Sequence, residues 1–401
     1  MSSPSRPSPS LNPAVQPASA PNVLMTPVFV RVLAVQFTFG FAFSVYFLIP
    51  KYLATVLGAE ASVIGAVSAA PLVAGVLASP LIGHALDRMG RRPLMLAGSA
   101  LMLVTSLGMV TVTSVGPWLY ALRLVQGVGF ALLFNAAAAI VADLAPAERL
   151  GQAMGLLGAA SLVTNAAAPA AAEFAAHTWG WSPVFFGAAL MAGVSFVLGL
   201  GVRTAGARPR AEVLRPATGG VRRFLFVGAV TGAAFGTLIT FTQPFALEQG
   251  AERVAGFFVG YTSAALLVRL TLGNLGDRLG RAPVAMAALT GYGVVTLATS
   301  LLRPGLLEWF GLAFGAAHGL LYPSLAALVA ERSAPARRGR ALTAFNAAFN
   351  AGCGLSLVGC GAIAERWGYA IVFALVGVVT LASVPVLAGS QARKASDSRP
   401  S

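Results

Sequence analysis

Charge is what this chain has least of. Only 10% of its 401 residues are Asp, Glu, Lys or Arg, against roughly a quarter in a soluble domain. Apolar residues reach 57%, and the mean hydropathy is +0.79. A water-soluble globule of this size has no interior large enough for so much apolar side chain, so the natural solvent is lipid. Histidine is scarce, with three in all. Neither an HExxH pair nor a Ser-His-Asp arrangement is visible, so an enzyme is not expected. The phosphate-cradling pattern Gly-x-x-x-x-Gly-Lys-Ser/Thr is missing, which argues against ATP as the direct energy source. The two cysteines, Cys353 and Cys360, lie seven apart in one apolar run, two turns along one helix face. That separation is too long for a disulfide, and the pair reads as packing rather than as a metal site.

Acidic residues are also few, 13 against 27 basic ones, for a net charge of +14. The basic residues sit in short hydrophilic breaks rather than on an amphipathic face or in a basic domain, so nucleic acid is not the expected partner. Residues 1–27 are rich in Ser, Pro and Ala and hold no apolar core segment. They read as a disordered cytoplasmic tail and not as a cleaved signal peptide.

What the chain has in abundance is long apolar runs. A bilayer-crossing helix needs about 20 mostly apolar residues. Runs of that kind occupy 28–50, 62–84, 93–113, 117–141, 150–173 and 182–203, then 222–244, 253–275, 283–302, 306–330, 339–362 and 367–389. Most of the 27 basic residues fall in the two tails and in the breaks after even-numbered runs. That asymmetry places both termini in the cytoplasm. The chain also repeats itself. Asp87-Arg88-Met89-Gly90-Arg91-Arg92-Pro93 returns as Asp277-Arg278-Leu279-Gly280-Arg281-Ala282-Pro283. Trp179-Gly180 likewise answers Trp367-Gly368, and Val184-Phe185 answers Val372-Phe373. The expected organisation is a six-helix bundle over 28–203, a cytoplasmic linker over 204–221, a second bundle over 222–389 and a tail over 390–401. Such duplicated all-α membrane units mark many secondary transporters.

The stretch Gly83-His84-Ala85-Leu86-Asp87-Arg88-Met89-Gly90-Arg91-Arg92 resembles the signature loop between the second and third helices of the major facilitator superfamily (MFS). With the twelve runs and the duplication, the resemblance covers essentially the whole chain. It implies a charge cluster of Gly83, Asp87, Arg88, Gly90 and Arg91 with Asp143, and a second of Asp277, Arg278, Gly280 and Arg281 with Glu331. Arg269, two turns before Asp277, is expected to support the second cluster. By family analogy the cluster latches the outward-facing state and breaks in the other. The plainer reading is an ordinary basic turn. In the fourth run, Arg123-Leu124-Val125-Gln126-Gly127-Val128-Gly129 resembles a family motif associated with proton coupling.

An arginine inside a span is costly unless it faces a wet cavity or a partner, and Glu173 lies at a similar depth. A pair of Arg123 with Glu173 is one reading and a solvated carboxylate at the membrane boundary the other; with His318 the two residues are the candidates for proton coupling. In the fifth run, Pro169 stands among alanines where the family's antiporter motif has glycines, so the direction of transport is left open. Substrate-cavity candidates are the mid-span polar and aromatic residues Gln36, Phe39, Phe43, Asn165, His318, Tyr322, Asn346 and Asn350. The resemblance implies a monomeric inner-membrane transporter of bacterial type with no cofactor beyond a proton gradient. It is most like the permeases that exchange protons for small amphiphiles. An importer of a polar metabolite is the main alternative, and a membrane enzyme or receptor is a remote one.

Overall fold

The computed structural model describes residues 24–146, 149–202, 222–273, 275–333 and 338–387. The expected linker at 204–221 and the tail at 390–401 lie outside these residues, as do residues 1–23 of the N-terminal tail and the side chain of Asp87. The described residues form helices and turns, without a strand among them. Among the described residues, twelve helices are long and apolar enough to cross a membrane. In chain order the spans are Pro27–Thr55, Ala61–Leu86, Arg91–Met109, Pro117–Leu144, Leu150–Trp179, Trp181–Leu200, Arg222–Glu248, Ala255–Leu272, Arg281–Leu301, Pro304–Glu331, Ala341–Trp367 and Tyr369–Leu387. They are numbered span 1 to span 12 below.

Every expected run overlaps one span, but the ends differ. Span 5 continues six residues past its expected end at 173, because the helix carries on through half-polar sequence that an apolar count discards. Span 3 stops at Met109, where a Thr- and Ser-rich stretch follows and Thr111 Oγ1 donates to the Gly108 carbonyl at 2.8 Å. Proline opens spans 1, 4 and 10, a position where its missing N–H leaves no bond unmade. Four tight reversals between spans rest on glycine. Gly90 and Gly280 have φ of +82° and +90°, and Gly180 and Gly368 have φ of +83° and +81°. A side chain there is strained, so the repeated Gly-Arg and Trp-Gly pairs mark the same two turns in each half.

Packing repeats as well. In the first half span 1 packs on spans 5 and 6, span 2 on span 4, and span 3 on spans 4 and 6. In the second half span 7 packs on spans 11 and 12, span 8 on span 10, and span 9 on spans 10 and 12. Two seams join the halves, span 2 with span 11 and span 5 with span 8.

Both seams close at the end of the molecule away from the Gly-Arg turns. An ideal Cβ on Gly65, near the start of span 2, would lie 2.1 Å from the Leu357 carbonyl oxygen, and one on Gly361 would lie 2.7 Å from that of Ala61. Close backbone approach of this kind is what small residues allow in lipid. At the Gly-Arg end the halves part. Leu81 and Leu270 are 73% and 76% exposed, and Gly151, Gly155 and Gly158 of span 5 have no neighbour that an added Cβ would meet. The molecule is closed at one end and open at the end bearing the Gly-Arg turns.

Candidate functional site: a central cavity and its closed end

Span 1 sets one wall. Phe39, Phe43 and Phe47 are four residues apart and share a helix face. The Phe43 ring stacks on Phe130 of span 4 with centroids 4.2 Å apart, and Phe130 stacks on Phe134 at 5.4 Å. Phe39 is buried, Phe43 half-buried, and Phe134 is 40% exposed. A ladder of phenylalanine faces thus runs from the interior towards the open end.

Gln36 and Asn165 lie in the packing between spans 1 and 5. Gln36 Nε2 donates to Ser161 Oγ at 3.1 Å, and Ser44 Oγ donates to Asn165 Oδ1 at 2.9 Å. Both amides are occupied in holding two spans together.

The other wall is an aromatic cluster around His318. The rings of Phe235, Tyr261, Tyr292, Phe314, Tyr322 and Phe349 lie 5.0 to 6.5 Å from its own. Its Nδ1 lies 3.4 Å from the Tyr292 hydroxyl, and its partners among the described residues are rings rather than acids. Tyr322 donates to Asn346 Oδ1 at 2.6 Å in an exposed hydrogen bond, with half-buried Asn350 one turn further on.

Arg123 is buried. Its guanidinium donates from Nη1 to Gln126 Oε1 at 2.6 Å and lies over the Tyr46 ring, 5.5 Å from its centroid. Its Nε reaches the Val67 carbonyl at 3.5 Å. It does not meet Glu173, which corrects the reading of the two as a pair from their matching depths. The two side chains point to different neighbours, Arg123 towards spans 1 and 2, Glu173 across the seam towards span 8.

Glu173 is instead the centre of a latch that spans both halves. Lys51 Nζ, at the end of span 1, donates to Glu173 Oε1 at 2.6 Å. The backbone N–H of Val254 donates to the same oxygen at 2.8 Å, and that of Ala255 to Oε2 at 2.7 Å. Lys51 also donates to the Glu252 carbonyl at 2.7 Å. An anion at a helix N-terminus satisfies amides that have no partner within the helix, and here it does so for span 8. The carboxylate is 7% exposed and the lysine 14%. Just below, Gln243 of span 7 donates to the Phe47 carbonyl at 2.7 Å, and Phe47 stacks on Phe258 of span 8 at 6.0 Å. Outside the latch lies a polar recess of about 580 Å³ lined by Glu173, His177, Arg253 and Glu308 among others. Lys51, Gln243 and Phe258 were not singled out in the sequence as site residues, whereas Phe47 belongs to the aromatic surface that the first run presents. One signal for Lys51 was present, since it is one of the few basic residues in the breaks after odd-numbered runs.

The charge clusters sit at the open end. Arg91 pairs with Asp143 inside the first half, joining the start of span 3 to the end of span 4. In the second half Arg281 Nη2 reaches Asp277 Oδ1 at 3.1 Å, one turn apart on the surface. The expectation that this contact breaks when that end opens is not met for Arg91–Asp143. Both partners belong to one half, so separating the halves does not separate them. Arg88 is exposed, and Gly83 has open space around it; Arg278 and Glu331 are exposed. Arg269 makes no ion pair with Asp277. It lies near the Gly-Arg end of span 8.

The chain matches the family model of the Major Facilitator Superfamily over residues 32–264 and again over 224–400. Among similar proteins is the multidrug resistance protein MdtG of Erwinia billingiae, 26% identical over 332 residues, covering 76% of this chain and 78% of that one. The multi-drug resistance efflux pump PmrA of Streptococcus pneumoniae serotype 4 is 33% identical over 113 residues, a match that spans only 28% of either chain. Among solved structures, the nucleoside transporter NupG superposes with a TM-score of 0.76 at 14% identity, covering 91% of this chain and 99% of that one. The D-xylose-proton symporter superposes at 0.72 with 17% identity, covering 90% and 98%.

Proposed function

We propose that this chain, which belongs to the major facilitator superfamily, exports small amphiphilic compounds by alternating access and is driven by a proton gradient. The observation that carries the reading is the arrangement of the two halves: facing aromatic walls that part at one end and are tied at the other, where the Lys51–Glu173 pair of the first half bonds main-chain groups of the second. Stacked phenylalanines suit apolar or amphiphilic guests, and the similar proteins MdtG and PmrA carry names that describe multidrug resistance and efflux. The positive-inside asymmetry supports cytoplasmic termini in a bacterial-type inner membrane, with the open end facing the cytoplasm.

Coupling is assigned to Glu173. A proton on its carboxylate removes the charge that holds Lys51 and the two amides of span 8, which loosens the closed end. The charged and titratable groups around it are Lys51, Arg253, His177 and Glu308. Import of a polar metabolite is the second reading, and the exposed Tyr322–Asn346 hydrogen bond favours it. Proteoliposomes carrying an imposed pH gradient separate these readings. Efflux by antiport predicts uphill movement of an amphiphilic dye against the proton flow, abolished in Glu173→Gln with normal insertion. Unchanged pH-driven transport in that variant removes Glu173 from coupling, and dye movement in the same direction as protons removes antiport.

A further inference from the structure

The charges inside the membrane do not balance. Each of the 13 carboxylates in the sequence lies outside the spans or within about two turns of a span end. The deepest, Glu173, is already neutralised by Lys51. Arg123 and Arg269, in contrast, lie within spans and make no ion pair with any carboxylate among the described residues.

Arg123 is the more informative. A guanidinium carries five N–H donors, and the described contacts of Arg123 are one short hydrogen bond to Gln126 and a long one to the Val67 carbonyl. Three further groups nearby share its condition. The Tyr46 hydroxyl, the Ser106 hydroxyl and the Gln126 amide nitrogen gather around one another yet make no hydrogen bond of full geometry, and Tyr46, Gln126 and Ser106 are 3%, 0% and 0% exposed. A buried, unsatisfied donor is costly and calls for an explanation. All of these groups can donate, and none brings a negative charge.

Arg123, although buried, shares a helix face with the aromatic wall. Arg123, Phe130 and Phe134 are spaced seven and four residues apart, so they fall on one face of span 4, the face that stacks on Phe43. Seven residues of helix separate the guanidinium from Phe130 by about 10 Å. That is the length of a bicyclic aromatic acid laid along the wall. Near the Gly-Arg end of span 8, Arg269 adds a second positive charge, and its Nε is also buried without a partner.

We propose that the central cavity selects aromatic amphiphiles that carry an anionic group, with the anion held by Arg123 together with Tyr46, Ser106 and Gln126, and the ring held against Phe43 and Phe130. Charge-assisted hydrogen bonds of this kind are roughly twice as strong as neutral ones, and the anion supplies the countercharge that the spans lack. The inference rests on the reading of this cavity as the substrate site, and it adds the sign of the substrate's charge.

The test compares two probes of one shape, 2-naphthoate and 2-naphthamide, binding to the purified full-length protein in lipid nanodiscs near neutral pH, followed by calorimetry. The expected result is that the carboxylate binds about tenfold or more tighter than the amide. Arg123→Gln brings that ratio to about one, and Tyr46→Phe lowers the ratio with a smaller effect. Equal affinities in the wild-type protein overturn the proposal without any variant, as does a preference that survives Arg123→Gln. If Arg123→Gln fails to insert, Ser106→Ala combined with Gln126→Leu serves in its place, and an unchanged ratio there also counts against the site. Saturable binding of the amide or of an aromatic cation in preference to the carboxylate removes the anion site and leaves the transporter reading intact. Because this is equilibrium binding, its outcome does not depend on the direction of transport or on coupling.

Discussion

At the scale of single residues, depth in the membrane can be counted along the chain but direction around a helix cannot. Arg123 and Glu173 each lie six residues from the non-basic end of a span, so a pairing was one natural reading. The structure turns Glu173 to Lys51 and span 8 and leaves Arg123 among Tyr46, Gln126 and Val67. A helix that is apolar on every side carries little periodic signal to fix its rotation, and that is why the partners were illegible. The same limit applies to Gln36 and Asn165, whose depth suggested a cavity and whose rotation places them between spans 1 and 5.

Glycine gives a residue-scale prediction. A Cβ on Gly127 would lie 2.1 Å from the Pro71 carbonyl oxygen and 2.5 Å from its Cα, against backbone that has nowhere to go. Gly127→Ala is expected to cost about 1–3 kcal/mol by overpacking the contact of spans 2 and 4. Gly158→Ala, with open space around it, is expected to be neutral or to stabilise by up to about 1 kcal/mol. Thermal melts of the two variants in one detergent check both, and equal melts refute the difference.

At the scale of elements, hydropathy located all twelve spans because lipid requires every backbone group to be satisfied within its own helix. It missed their ends, since helices continue into the interface through residues that an apolar count rejects. It also missed the latch, whose parts come from spans 1 and 5 and from the start of span 8 and whose bonds join residues 81 to 201 apart in sequence. Removing one partner of a buried ion pair costs about 3–5 kcal/mol, so either change at the latch should shift the molecule towards opening at that end. Glu173→Gln should shift it further than Lys51→Met. The first loses the anion that serves the lysine and both amides, and the second leaves the carboxylate its two N–H donors. Spin labels at Thr178 of span 5 and Trp309 of span 10, both exposed, report the separation of the halves. The long-distance population should rise in the order wild type, Lys51→Met, Glu173→Gln.

At the scale of the whole molecule, the duplicated motifs made the fold class readable before any coordinates. Gly90 and Gly280, and Gly180 and Gly368, reverse the chain in the same way, and the pairing of spans 1 to 6 recurs in spans 7 to 12. Which end is open was not readable, because both states bury similar apolar surface and share one sequence. Two cysteine reporters test the arrangement against the buried native pair Cys353 and Cys360. Gly158→Cys, in the open half of span 5, should react with a membrane-impermeant thiol reagent only in inside-out vesicles. Thr178→Cys, at the closed end, should react only in right-side-out ones. Labelling of both from one side contradicts the topology.

The latch also says something about how this protein can change over evolutionary time. From the second half, the groups that Lys51 and Glu173 engage are the carbonyl of Glu252 and the amides of Val254 and Ala255. These are peptide groups that any amino acid except proline at the two donor positions would supply. The docking address on that half is written in main chain, so the hairpin between spans 7 and 8 is free to drift in side-chain identity while its conformation is kept. The burden of invariance falls on the two charged residues of the first half alone.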